Sequence, residues 1–148
     1  MSFYPARAAV AEAMMVPLPP YVLKALLIFF AGGVGSVCRY WIAGAVQRST
    51  SAIFPFGTLV VNVAGCFLIG FLVAALSGRW MIREEFRVMV LVGFLGGFTT
   101  FSAFAYETFS LVNAGSWTRA GLNIALSVVS GFAAVWIGYR LAERWIGV

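Results

Sequence analysis

Four apolar stretches, each long enough to cross a lipid bilayer as an α-helix, dominate the sequence. They cover about residues 21–46, 54–76, 88–111 and 118–140. A helix rises about 1.5 Å per residue, so roughly 20 apolar residues cross the hydrocarbon core. Short polar links join the stretches and favour antiparallel neighbouring helices. The sequence therefore predicts an all-α membrane protein with four transmembrane helices in one domain, residues 21–148.

The composition supports this class and excludes several others. Charged residues make up 10% of the 148-residue chain and hydrophobic residues 62%, whereas about 25% is charged in ordinary globular proteins. The chain has no His and no Asp, which excludes His-based acid–base catalysis, His-ligated zinc and Asp-based two-metal chemistry, so we expect no enzyme. The net charge of +5 is spread along the edges of the apolar stretches, so we expect no nucleic-acid partner.

Residues 1–20 form a separate N-terminal tail. Residues 17–20 contain three prolines, which end any helix before the first span. The tail lacks a convincing apolar core followed by a small-residue cleavage site, so we expect a mobile tail rather than a cleaved signal peptide. Translation starting at Met14 or Met15 is an alternative that the sequence leaves open.

Lys and Arg are distributed unequally between the two ends of the predicted bundle. Only Arg48 and Arg119 lie at one end. Seven lie at the other: Arg7, Lys24, Arg79, Arg83, Arg87, Arg140 and Arg144. Loops rich in basic residues usually remain in the cytoplasm, so this count favours cytoplasmic N- and C-termini.

The third span carries the most informative string, GFLGGFTTFSAF, which runs from Gly93 to Phe104. Adjacent glycines followed by adjacent threonines make a poor helix, because Gly is conformationally free and Thr is stiff at χ1. We therefore expect a break in the third helix. A break frees backbone carbonyls, which is tolerated where they line a cavity or bind a cation. Close helix packing at Gly93, Gly96 and Gly97 is the alternative.

Few polar side chains lie inside the spans, and each must face protein or water. Arg39 in the first span either reaches for the membrane surface or stands at the mouth of an anion path, with Glu107 as a candidate partner. Asn62 in the second span offers either an interhelical hydrogen bond or a donor to an anion. Asn123 and Ser127, four residues apart, share one face of the fourth helix.

Phe101 and Phe104 lie three residues apart beyond the expected break, on one side of the helix. The edge of a phenyl ring is electropositive, so two edges turned inward could receive an anion, although packing or lipid contact is the more common use of Phe. Ser102, between them, could join Asn123 and Ser127 in one polar stripe.

Taken together, these spacings resemble those of the CrcB/Fluc family of fluoride channels. The resemblance covers about residues 23–140 and leaves the N-terminal tail unmatched. The matching residues are Gly32, Gly33, Val34, Gly35 and Ser36 with Arg39 and Tyr40; Pro55, Phe56, Gly57, Thr58 and Leu59 with Asn62 and Gly65; the third-span string with Glu107; and, more weakly, Asn123, Ser127 and Gly131.

The resemblance implies an antiparallel, dual-topology homodimer in the cell inner membrane that passively exports fluoride through two pores and lowers its toxicity. It also implies a structural Na⁺, not transported, at the dimer centre, held by the backbone carbonyls of Gly96 and Thr99. The implied partners are fluoride, a second copy of the chain and the lipid bilayer. The implied pore residues are Asn62, Phe101, Ser102, Phe104, Asn123 and Ser127, with Arg39 near the vestibule.

Two features depart from the family pattern. Ala103 and Ala105 stand where family members often carry hydroxyls, so the implied polar track is thinner here. The seven-to-two charge count favours a single orientation over dual topology and leaves open a need for a paralogue. Two alternatives from other classes remain: a proton-coupled small multidrug-type antiporter, which needs a titratable carboxylate deep in a span, and a noncatalytic membrane assembly subunit.

Overall fold

The computed structural model describes residues 19–50, 52–77 and 82–146. Within these ranges the chain is helical apart from short connections. The elements are α1 (Pro20–Thr50), α2 (Phe56–Ser77), α3 (Glu84–Val88), a π-helical segment (Met89–Phe94), α4 (Leu95–Phe98), α5 (Phe101–Asn113) and α6 (Trp117–Ile146). The tail expected over residues 1–20 lies almost wholly outside the described residues and stays a prediction.

Four helical spans are long and apolar enough to cross a membrane. They run over Pro20–Thr50, Phe56–Leu76, Glu84–Asn113 and Trp117–Ile146, and the third is built from α3, the π-helical segment, α4 and α5. Their outer surfaces carry many exposed large apolar side chains, as contact with lipid or another subunit requires. The predicted all-α membrane protein with four spans is therefore confirmed.

Helices α2 and α6 pack along each other through glycines. A Cβ atom at Gly70 would overlap the carbonyl oxygen of Val135, and a Cβ at Gly138 would overlap that of Phe67. Hydrophobic driving force between helices is weak in lipid, so close backbone contact through small residues supplies much of the attraction. The contact ends in a small buried cluster of Ala74, Ala75, Ala142 and Ile146, with Phe71 packed against it.

Helix α1 packs in the same way against the third span. A Cβ at Gly35 would overlap the carbonyl oxygen of Phe94, and a Cβ at Gly97 would overlap that of Gly32. These contacts fix the height of α4 relative to α1. An ion pair at the end of the bundle, Lys24 Nζ to Glu84 Oε1 at 2.7 Å, joins the beginnings of the same two spans.

Gln47 bonds to several backbone groups of the connection between α1 and α2. Its Nε2 donates to the carbonyl oxygens of Ala52 at 2.7 Å and Phe54 at 3.1 Å, while its Oε1 accepts from the amide of Gly57 at 3.1 Å. Backbone groups in a tight connection at a membrane boundary need such partners. Gln47 therefore sets where α2 begins and, with it, the height of the polar face of α2.

Replacing Gly138 by Ala should lower the free energy of unfolding by about 1–3 kcal/mol, because the added methyl meets the backbone of α2 rather than a movable side chain. Thermal unfolding of the purified protein in detergent measures the change. Gly121→Ala on the same helix is the matched control: nothing lies within 4 Å of its added methyl, so stability should hold or rise. Two equally stable variants would contradict the close α2–α6 contact.

Candidate functional site

The third span is interrupted at Thr99 and Thr100. Helix α4 ends at Phe98 and α5 begins at Phe101, and the two threonines between them are extended, with φ −94° and ψ 160° at Thr99 and φ −152° and ψ 117° at Thr100. The Thr100 hydroxyl caps α5 by accepting from the amide of Ala103 at 3.2 Å. Extended backbone inside a span needs hydrogen-bond partners from elsewhere in the protein.

Asn62 on α2 supplies those partners to Thr100. Its Oδ1 accepts from the Thr100 amide at 2.8 Å, and its Nδ2 donates to the Thr100 carbonyl at 3.0 Å. One carboxamide thus satisfies both backbone groups of an extended residue. One of the two hydrogens on Nδ2 is used in this way, which leaves the other for the space beside the interruption.

The interruption redirects the donors that two carbonyls would have in a continuous helix. The amide of Thr100, four residues after Gly96, donates to Asn62. The amide of Ala103, four residues after Thr99, donates to the Thr100 hydroxyl. The carbonyl oxygens of Gly96 and Thr99 therefore lack the amide donors that they would have in a continuous helix.

These carbonyls fit the cation that the sequence resemblance implies. Carbonyls of unwound transmembrane segments are ligands for Na⁺ in membrane proteins. Space also exists at Gly96, where a Cβ atom would find nothing within 4 Å. The neighbouring carbonyl of Gly97 accepts instead from the Ser36 hydroxyl at 3.4 Å. Among the described residues, no group of three or more His, Cys, Asp or Glu side chains is placed to hold a metal. The candidate metal ligands considered at this place are backbone carbonyl oxygens.

A groove of about 400 Å³ opens beside the interruption, between α2, the third span and α6. The rings of Phe101 and Phe104 line it with their centroids 5.5 Å apart, and Phe101 is 79% exposed. The groove collects six of the predicted site residues: Asn62, Gly96, Thr99, Phe101, Phe104 and Ser127. Residues from three spans that are distant in sequence therefore meet at one place.

Ser102 and Asn123 lie outside the lining of this groove. Ser102 is exposed, and its hydroxyl oxygen lies 3.2 Å from that of Thr100. Asn123 is only 1% exposed, and its Nδ2 donates to the Thr108 hydroxyl at 2.8 Å. Thr108 in turn donates to the carbonyl of Phe104 at 2.7 Å, so Asn123 connects through Thr108 to the backbone of a groove residue.

Arg39 is half-buried on α1 and also lies outside the groove lining. Within the described ranges no carboxylate lies at ion-pair distance from it. Its candidate partner Glu107 is engaged elsewhere: Glu107 Oε1 accepts from the hydroxyl of Thr58, which is 8% exposed, at 2.6 Å. The candidate pairing of Arg39 with Glu107 is therefore absent among the described residues of the single chain, where the carboxylate accepts from Thr58 on α2.

The sequence contains one signal for the Thr58 contact. Thr58 lies four residues before Asn62, so both project from the same face of α2. That face meets the third span twice, at Glu107 through Thr58 and at Thr100 through Asn62. The sequence contains no comparable signal for Thr108, which accepts from Asn123 on α6.

The fold and groove define a small polytopic α-helical membrane protein with a mostly apolar groove beside an interrupted span. Residues 26–139 match the family described as "CrcB-like protein, Camphor Resistance (CrcB)". The chain belongs to this family, which confirms the resemblance identified from the sequence.

Three relatives are similar over most of their length, and each is named "Fluoride-specific ion channel FluC". The relative from Desulforapulum autotrophicum is 48% identical over 120 residues, which cover 81% of this chain and 96% of the relative. That from Solibacter usitatus is 45% identical over 122 residues, or 82% and 100%. That from Methylocella silvestris is 44% identical over 119 residues, or 79% and 91%.

Replacing Thr58 by Val should cost about 1–3 kcal/mol of stability, because the buried hydroxyl that donates to Glu107 is lost while side-chain shape is kept. Thr58→Ser retains a hydroxyl at the same Cβ and is the matched control. Thermal unfolding in detergent should place the Val variant below the Ser variant. If the order is reversed, the hydrogen bond to Glu107 contributes nothing to stability.

Proposed function

We propose that this protein is a fluoride-selective channel that passively exports fluoride from the cytoplasm and so lowers its toxicity. One observation carries the proposal: Asn62, Phe101, Phe104 and Ser127 line a single groove in a chain whose relatives are named fluoride-specific ion channels. The lining is polar at a few points and otherwise apolar, which suits a narrow path for one small anion.

The chemistry of the groove suits fluoride. Fluoride is small and strongly hydrated, so a pore must replace its water with firm donors and still release the ion. The remaining hydrogen of Asn62 Nδ2 and the Ser127 hydroxyl provide donors, and the ring edges of Phe101 and Phe104 add weaker positive contacts. None of these groups has to gain or lose a proton, which suits passive conduction.

Ser102, Asn123 and Arg39 take supporting places in this proposal. The exposed hydroxyl of Ser102 extends the polar track outside the groove of its own chain. Asn123 supports the track through Thr108 and the backbone of Phe104. Arg39 places a positive charge near the vestibule, where it raises the local concentration of anions.

We propose an antiparallel, dual-topology homodimer in the cell inner membrane, and the open groove supports the part of this proposal that requires a second copy. Asn62 and the extended Thr99 and Thr100 lie in this mostly apolar groove, and such polar groups are unsuited to contact with lipid. A second copy would cover the groove, and two copies would give two pores. In the dimer, the carbonyls of Gly96 and Thr99 from both subunits would hold a structural Na⁺. All of these ligands are neutral, so they would leave the ion's positive charge uncompensated. The ion supplies a fixed positive centre and is not transported.

A buried oxygen atom favours one competing function. Glu107 Oε2 is buried and has no hydrogen-bond partner within the described residues, and a proton-coupled antiporter of the small multidrug type requires an intramembrane carboxylate. The names of the relatives favour a channel. A noncatalytic assembly subunit, which would move no ions, is the remaining alternative. Ion flux separates the three.

Liposomes containing the purified protein should release fluoride down its gradient, with no proton gradient imposed, and should retain chloride. A fluoride electrode and a chloride electrode measure the two fluxes. Equal chloride release would refute selectivity, flux that requires a proton gradient would favour the antiporter, and no flux would favour the assembly subunit.

Phe101→Ile and Phe104→Ile should each abolish fluoride flux while the dimer persists in size-exclusion chromatography. Undiminished flux in both variants would show that these rings do not belong to the pore.

An antiparallel dimer should present its C-terminus on both sides of the membrane. A cysteine appended to the C-terminus of a Cys38→Ser, Cys66→Ser variant should be labelled to about half by a membrane-impermeant thiol reagent applied to intact cells. Permeabilised cells, where labelling should be complete, are the control. Labelling confined to one side would establish the single orientation that the seven-to-two charge count favours.

A further inference from the structure

The two hydrogen bonds from Asn62 to the backbone of Thr100 suggest a second task for this side chain. We propose that Asn62 is a positioning residue for the cation site: it holds Thr100 extended and thereby keeps the carbonyls of Gly96 and Thr99 available as ligands. This inference rests on the Na⁺ site of the proposed function and goes beyond the donor role of Asn62 in the pore.

The first step of the argument is a competition for one amide. The amide of Thr100 donates to Asn62 Oδ1 at 2.8 Å, and its helical acceptor four residues earlier is the carbonyl of Gly96. Without Asn62, this half-buried amide needs another acceptor, and the Gly96 carbonyl is the one that helical geometry offers. Helix α4 would then extend by a residue and consume one of the two ligand oxygens.

The second step is the contact with the carbonyl group of the same residue. Asn62 Nδ2 donates to the Thr100 carbonyl at 3.0 Å, so the carboxamide grips both groups of the residue and fixes its direction. One turn along α2, a Cβ at Gly65 would overlap Cγ2 of Thr99. The face of α2 therefore holds both extended residues, Thr100 by hydrogen bonds and Thr99 by close contact.

The third step is that one side chain serves two sites. The carboxamide of Asn62 lines the groove and binds the backbone that carries the cation ligands. Side chains that orient metal ligands typically change metal affinity by about 10- to 100-fold when they are removed. A residue that only donated to fluoride would leave the cation site unchanged.

The test compares thermal unfolding of the purified dimer in Na⁺ and in N-methyl-D-glucamine as Na⁺ concentration is varied. Na⁺ should stabilise the wild type, and Asn62→Leu should raise the Na⁺ concentration for half-maximal stabilisation by about 10- to 100-fold. A merely structural role would lower the unfolding temperature equally in both salts and leave the Na⁺ dependence unchanged. Asn62→Ser, a smaller change that also loses the grip on Thr100, should give the same shift and serves if the Leu variant does not fold.

Ser127→Ala is the matched groove variant, because Ser127 lines the groove from α6 and none of its contacts holds Thr100. It should reduce fluoride flux and keep the wild-type Na⁺ dependence. A wild-type Na⁺ dependence in Asn62→Leu or Asn62→Ser would overturn the inference and leave the proposed function intact. A wild type that Na⁺ does not stabilise would overturn the Na⁺ site itself and the inference with it.

Discussion

Backbone amides and carbonyls inside a membrane need partners within the protein, and the arrangement of this chain follows from meeting that need at one difficult place. The third span gives up its helical hydrogen bonds at Thr99 and Thr100. Asn62 accepts from the freed amide of Thr100, the Thr100 hydroxyl accepts from that of Ala103, and Ser36 donates to the carbonyl of Gly97. Two of these partners, Asn62 on α2 and Ser36 on α1, reach the third span from neighbouring helices.

Small residues bring those partners within reach. Gly32 and Gly35 of α1 touch the backbone of the third span, and Gly70 and Gly138 bring α2 and α6 into backbone contact. Without side chains between them, the helices approach closely enough for short carboxamides and hydroxyls to bridge the gaps. Glycine packing and polar bonding are therefore two parts of one arrangement, since the first sets the distances over which the second acts.

The four spans were predictable because hydropathy depends on local sequence alone, and Thr99 and Thr100 stand out for the same reason. The partners were not predictable in this way. Asn62 and Thr100 are 38 positions apart, and Thr58 and Glu107 are 49 apart, so their contacts depend on the relative height and rotation of two helices. Opposite charge made Glu107 a candidate partner for Arg39, but charge attraction says nothing about which helix face is nearer.

The π-helical segment Met89–Phe94 has a consequence for how this family can vary in length. A π-helical turn holds one residue more than an α-helical turn, so it absorbs a change of register within a continuous rod. On one side of it lies α4, fixed in height by its contacts with α1, and on the other lies α3, tied to α1 by the ion pair of Lys24 and Glu84. An inserted or deleted residue in this segment would rotate α3 about the helix axis and leave α4 in place. Chains could thus adapt to bilayers of different thickness without disturbing the ion path.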